Sequence, residues 1–118
     1  MGININKVLI GGRLTKDPEI KKVGDKSVCE FSVATNEYWK DSNGEKQERA
    51  EFHNIVVWGK LGGLCKQYLS KGSEVYLEGT IKTDSYDKDG VKKYITKIIS
   101  SNVQFLGKKE DGNQSAGF

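Results

Sequence analysis

The sequence is poor in the residues that build metal centres and covalent staples. Among 118 residues it has two cysteines, one histidine and one proline. Cys29 and Cys65 lie 36 residues apart. Two cysteines cannot make a disulfide-dense scaffold, and no CxxC or short Cys/His spacing exists, so neither a metal nor a cofactor is expected. No apolar run reaches membrane-spanning length. Residues 1–30 mix Lys7, Arg13, Asp17 and Glu19 with other residues, so no signal peptide is read there. The expectation is a reduced protein of the cytoplasm. A block of like charge is missing too. Residues 1–35 sum to +2, residues 36–53 to −2 and residues 54–118 to +3, which makes the net +3. A balance this weak does not by itself demand nucleic acid, and any anionic partner has to be held by folded geometry rather than by a basic arm. The length predicts one domain, with a modest core, so that association would matter to stability.

Catalysis finds little support. His53 is the only histidine, on a strand where Glu51 shares its parity. That makes an acid–base pair conceivable, but an imidazole packed at a sheet surface or subunit contact is the better reading. No serine has an Asp–His set to support it. Gly11-Gly12 is followed by Arg-Leu and not by a phosphate-binding GxxxxGK[ST] loop. The carboxylates are scattered in turns. No enzyme is expected.

What is present is alternation. Asn4–Leu14 reads as a strand, bent at Gly11-Gly12. Asp17-Pro18 and Gly24-Asp25 mark turns. In Ser27–Thr35, Cys29, Phe31, Val33 and Thr35 take one parity, the two-residue period of a half-buried strand. Asn36–Gln47 reads as a long polar loop with a hairpin-like turn at Asp41-Ser42-Asn43-Gly44. Ala50–Trp58 is the next strand. Lys60–Ser70 changes to a helical period, with Leu61, Leu64, Cys65 and Tyr68 on one stripe, so that Tyr68 is expected in the core. Gly62 and Gly63 weaken that helix by roughly 1 kcal/mol each. Ser73–Thr83 alternates again with Val75, Leu77, Gly79 and Ile81 inward. Asp84–Val91 reads as a second polar loop turning at Asp89-Gly90. Lys93–Leu106 is a long strand, bent near Ser100-Ser101. The expected fold is all-β, five strands with one short helix between the third and fourth. That pattern resembles the oligonucleotide-binding barrel, with a small sandwich as the alternative. Residues 1–107 form the domain and 108–118 a flexible C-terminal stub.

The aromatics are not distributed like core residues. Trp39 and Tyr86 fall in or beside the polar loops, and Trp58 ends a strand directly before Gly59, with Phe52 on its parity. Bases stack on exposed rings at about 1–3 kcal/mol each with little sequence preference. Nearby cations suited to phosphates are Lys40, Lys46, Arg49, Lys60, Lys82, Lys88, Lys92 and Lys93, with Lys7 and Arg13 flanking the first strand. Tyr38 is the alternative to Trp39 as the exposed ring. Tyr76 could serve a ligand or an oligomer contact.

An ordered series of segments resembles the bacterial-type single-stranded DNA-binding protein family. It runs from Asn6-Lys7-Val8-Leu9-Ile10-Gly11 through Asp17-Pro18-Glu19, Phe31-Ser32-Val33-Ala34-Thr35 and Glu51-Phe52-His53 to Trp58-Gly59-Lys60-Leu61 and Tyr68-Leu69-Ser70-Lys71-Gly72-Ser73. The resemblance implies sequence-independent binding and protection of single-stranded DNA in replication, recombination and repair. Its stacking positions fall on Trp39, Phe52, Trp58 and Tyr86. It further implies a homotetramer, with Ile3, Ile5, Lys7, His53 and Tyr76 at subunit contacts. Replication and repair proteins would be partners, but the recruiting acidic tail of that family is not evident, because only Glu110 and Asp111 precede the terminal Phe118. A dimeric primosome-type accessory protein is the second reading, and a protein-interaction barrel the third.

Overall fold

The computed structural model of the protein describes residues 2–108. The expected stub lies, from residue 109 onward, outside the described residues. The elements are β1 (Val8–Leu14), β2 (Glu19–Val23), β3 (Lys26–Lys40), β4 (Lys46–Trp58), α1 (Gly59–Tyr68), β5 (Ser73–Lys88) and β6 (Val91–Lys108). They form one six-stranded sheet in the order β1-β5-β6-β4-β3-β2, in which β1 also pairs with β3 at Arg13↔Ala34 and Leu14↔Val33. Every pairing is antiparallel except β4–β6, a parallel contact of Ile55↔Ile98 and Val56↔Ile99.

This corrects the expected five-stranded barrel with its helix between the third and fourth strands. Among the described residues there are six strands, and the helix follows the fourth. The added strand is β2, Glu-Ile-Lys-Lys-Val, whose five side chains are all exposed. A strand wetted on both faces has no apolar alternation to betray it. Its hairpin with β3 turns at Gly24-Asp25, where the turn was expected, and runs Glu19↔Glu30 to Val23↔Lys26.

The two polar loops are corrected as well. β3 and β4 stay paired out to Lys40↔Lys46, and β5 and β6 out to Lys88↔Val91. Residues 36–40 and 46–51, and again 80–88 and 91–96, are therefore two-stranded arms that reach beyond the core. Their backbone bonds are satisfied across the hairpin, so polar side chains suffice. Asp89 and Gly90 both take positive φ, 54° and 79°, the geometry that matches a two-residue hairpin to the twist of its strands. The first strand begins at Val8 rather than Asn4, and its register with β5 is unbroken through Gly11-Gly12. The bend expected at Ser100-Ser101 is a register shift, because Glu78 faces Asn102 while Gly79 faces Ser100. Ser100, buried there, donates from its hydroxyl to the Glu78 carbonyl at 2.9 Å.

Alternation places Cys29, Phe31 and Val33 of β3 opposite Val57, Ile55 and His53 of β4. All but His53 join Ile10, Leu14, Val75, Leu77, Ile98 and Val103 in one core. The helix closes this core with a different stripe from the expected one. Leu61, Gly62, Cys65 and Leu69 face inward, whereas Leu64 is exposed and Tyr68 is 61% exposed. Gly62 is the reason. A Cβ there would collide with the Val57 carbonyl oxygen and press on Cys29, so the bare backbone of the helix lies directly against the sheet. Tyr68 instead rests its ring beside Phe105, centroids 5.9 Å apart. The Asp17-Pro18 turn anchors the helix end, since Lys66 donates to the Pro18 carbonyl at 2.9 Å and the Lys71 amide to Asp17 Oδ1 at 2.8 Å.

Burial pushes the Cys29 thiol up to about 11 and the Cys65 thiol to about 12. Neither forms the reactive thiolate near neutral pH. A thiol-specific chromogenic reagent should leave both untouched in the native protein and titrate both in denaturant. The two helix glycines should separate in urea melts. Gly62→Ala should cost about 1–3 kcal/mol by overpacking. Gly63→Ala, with open space around its Cβ, should be neutral or gain up to about 1 kcal/mol of helix propensity. Equal effects would contradict this packing.

Candidate nucleic-acid interface

The β3–β4 arm is held by its turn. Asp41 Oδ1 accepts from the Asn43 and Glu45 amides, both at 2.9 Å, and Oδ2 accepts from Gln47 Nε2 at 3.0 Å. The Gly44 amide donates to the Asp41 carbonyl at 2.9 Å. The bonds to its side-chain oxygens favour the ionised carboxylate, the Glu45 amide most, and hold Asp41 below its ordinary value. On the β5–β6 arm, the Thr83 and Thr96 hydroxyls bond across the strands at 2.9 Å.

Sidedness follows from register. Residues directly opposite share a face, and faces alternate along each strand. On β4, Phe52, Asn54, Val56 and Trp58 take the face away from the core. The pair Val56↔Ile99 carries that face onto β6, and hence to Lys97, Ile95 and Lys93 with their β5 partners Lys82, Asp84 and Tyr86. Phe52 (63% exposed), Trp58 (42%) and Tyr86 (49%) therefore stand on one continuous outer face. Between them lies a cleft lined by Ser32, Asn54, Val56, Ile95, Lys97 and Glu30. Glu30 is gripped from both sides, by Lys21 at 2.9 Å and Lys97 at 3.9 Å. The Glu30 hydrogen bond raises the Lys21 value.

Trp39 is on the other face. It is opposite Gln47, on the parity of Glu37, Arg49 and His53. Its ring, 43% exposed, has the Arg49 guanidinium 5.9 Å from its centroid. The structure thus groups three of the four expected rings and sets Trp39 apart.

The expected cations divide as well. Lys7 pairs with Glu78 at 3.4 Å, Arg13 with Glu74 at 3.0 Å and Arg49 with Glu37 at 3.3 Å. Among the described residues, Lys40, Lys60, Lys82, Lys88, Lys92 and Lys93 have no carboxylate within pairing distance. Lys82, Lys88 and Lys93 share Tyr86's face, while Lys92 lies opposite Asp87 on the reverse side. Lys60 borders a recess with Trp58 and Lys26. Lys97 and Tyr94 were not singled out from sequence. The period-two run Lys93, Ile95, Lys97 is the signal that could have found the lysine.

Of the residues expected at subunit contacts, Ile3 and Ile5 are almost fully exposed. Just after them, Asn6 is clamped to Ile81 by a reciprocal pair of 2.9 Å hydrogen bonds. Tyr76 is half-buried and extends its hydroxyl to Glu78 Oε2 at 3.5 Å, beside Lys7. His53 is half-buried, with Nε2 2.9 Å from the Thr35 hydroxyl. Among the described residues no cluster of three or more His, Cys, Asp and Glu is placed to hold a metal, and no helix is long and apolar enough to cross a membrane.

Bare rings beside unpaired lysines on a sheet face are the arrangement that stacking platforms for unpaired nucleic acid use. The comparisons with known proteins agree. The model of the single-strand binding protein family matches residues 5–106. The chain is 48% identical over 115 residues to single-stranded DNA-binding protein 1 of Chlorobaculum tepidum, covering 95% of this chain and 71% of that protein. It is 41% identical over 118 residues to the single-stranded DNA-binding protein of Neisseria meningitidis, covering 98% and 68% respectively. Among solved structures, the Plasmodium falciparum SSB in complex with ssDNA superposes with a TM-score of 0.83 at 34% identity, over 90% of this chain and 98% of that one. The chain belongs to the single-strand binding protein family, whose fold is the oligonucleotide-binding fold.

The Asp41 turn has a definite pH sign. Its carboxyl is held below the ordinary value in the folded protein, so its contribution is whole near neutral pH and fades only as acid protonates it. Amide signals of Asn43 and Glu45, followed by NMR, should hold steady to below the ordinary aspartate range and then move together. Movement near neutrality would contradict the assignment.

Proposed function

We propose that this protein binds and protects single-stranded DNA without reading its sequence, in replication, recombination and repair. The observation that carries this reading is the outer face bearing Phe52, Trp58 and Tyr86 beside the unpaired Lys82, Lys88 and Lys93. Rings offer every base the same π-face, and ammonium groups hold the phosphates between them, so grip does not depend on base identity. Duplex DNA keeps its bases stacked inside and offers nothing to the rings. Family membership supports the reading, as does the likeness to a relative solved with ssDNA. Trp39 adds a fourth ring from the reverse face. Lys40, Lys60 and Lys92 extend the phosphate track, and Lys7, Arg13 and Arg49 join it when their carboxylate partners release them.

Assembly belongs to the same reading. A homotetramer would pool four such faces, with Ile3, Ile5, Lys7, His53 and Tyr76 at its contacts. Ile3 and Ile5 stand almost fully exposed in one protomer, apolar side chains that a subunit contact would cover. The setting is the cytoplasm, where replication and repair proteins are the expected company.

Tryptophan fluorescence titrated with poly(dT) tests the proposal. Quenching is expected at low salt, with the midpoint weakening as salt rises. Trp58→Ala should weaken binding by about 1–3 kcal/mol. Lys82→Ala or Lys93→Ala should each flatten the salt slope by about 0.7. Absence of quenching at low salt overturns the reading, and sedimentation of the free protein as anything but a tetramer overturns the assembly.

A further inference from the structure

Tyr38 has no structural employment. It is 67% exposed, more than any of the four rings already considered, and among the described residues its hydroxyl makes no hydrogen bond. It precedes Trp39 in sequence, yet the strand period sends the two side chains to opposite faces of the β3–β4 arm. Register assigns the face. Tyr38 lies opposite Glu48, and on its side the next rungs toward the core are Asn36↔Ala50 and Ala34↔Phe52. Tyr38 and Phe52 thus stand on one face, four residues apart along the strand direction. That is about 13 Å, room for roughly two to four nucleotides. The side chains around Phe52 are small, Ala34 across from it and Ala50 beside it, so both rings project above their surroundings.

A second observation asks for an anion on this face. Beyond Tyr38 the hairpin's last pair is Lys40↔Lys46, two like charges directly opposite each other. Such a pair is destabilising, and among the described residues no carboxylate lies within pairing distance of either. A phosphate between them converts repulsion into a double contact. On the reverse face the guanidinium over the Trp39 ring is Arg49, already paired with Glu37.

We propose that Tyr38 is a further stacking ring, grouped with Phe52, Trp58 and the Lys40–Lys46 pair on the outer face, and that the β3–β4 arm takes unpaired bases on both of its faces. The proposal rests on the single-strand reading above. A strand following the outer face has Trp58, Phe52 and Tyr38 in order, ending with its phosphate at the lysine pair. Trp39 is reached only by a strand that passes around the hairpin end or by a second stretch of DNA.

The two tryptophans report the two faces separately. Trp39→Phe leaves Trp58 as the outer-face reporter, and Trp58→Phe leaves Trp39 as the reverse-face reporter, each with a ring retained at the replaced position. Tyr38→Ala is added to both, with Tyr38→Phe as the ring-preserving control, and each is titrated with an oligothymidylate long enough to span the outer face. Tyr38→Ala is expected to shift the Trp58 quenching midpoint five-fold or more while moving the Trp39 midpoint less than two-fold, and Tyr38→Phe should restore the first. Equal shifts of both midpoints, or a Trp58 midpoint unmoved by Tyr38→Ala, would overturn the proposal. No quenching of either tryptophan before Tyr38 is touched would instead overturn the single-strand reading beneath it.

Discussion

Two residue pairs join the two long hairpins of this sheet directly, and β1, paired with both β5 and β3, bridges them a second time. Each hairpin is antiparallel with its own register, β3 with β4 and β5 with β6. The hairpins meet through the parallel pairs Ile55↔Ile98 and Val56↔Ile99. Ile55 and Ile98 turn into the core, and that burial locks the alignment. A one-residue slip would exchange the faces of one hairpin against the other. Phe52 and Trp58 would then look away from Tyr86, and the lysines of β6 would be divided from the rings of β4. The coherence of the outer face is thus a by-product of core packing.

The modest net charge takes on meaning once the ion pairs are drawn. Lys7, Arg13, Lys21, Arg49 and Lys97 spend their charge on glutamates that tie strands and arms to their neighbours. Six of the lysines left over, Lys40, Lys46, Lys82, Lys88, Lys92 and Lys93, stand on the two arms, and among the described residues no carboxylate lies within pairing distance of them. A count of bases and acids averages these populations and hides the second. Surface ion pairs of this kind stabilise little, so an arriving polyanion can exchange them at small cost.

Much of the core was legible, because burial on one side leaves a period-two signature. Cys29, Phe31, Val33, Val75 and Leu77 alternate as a half-buried strand should, and Asp89-Gly90 names its own turn. The signature fails where both faces are wet. That single cause removed β2 and shortened both arms, which read as loops because nothing in them is buried. The helix failed differently. Counting apolar side chains predicts Leu64 and Tyr68 inward, but the closest approach is made by Gly62, which has no side chain to count. For the candidate site, the types of residue were readable as rings near lysines. Their sidedness was not, since it depends on the register of β3 with β4 and on the β4–β6 pairs, whose partners lie 43 positions apart.

Arg49 over the Trp39 ring gives the reverse face a character of its own. On the reading proposed above, Phe52 and Trp58 would meet a base as bare surfaces. Trp39 is already engaged by a guanidinium that Glu37 also holds. A base settling there trades places with that cation, and the gain is only the difference between two ring contacts. The displaced guanidinium, however, is set loose beside a phosphodiester chain. On the proposed reading the outer face would work by adding contacts and this one by substitution, so that its occupancy would depend on the local salt and on how firmly Glu37 keeps its hold.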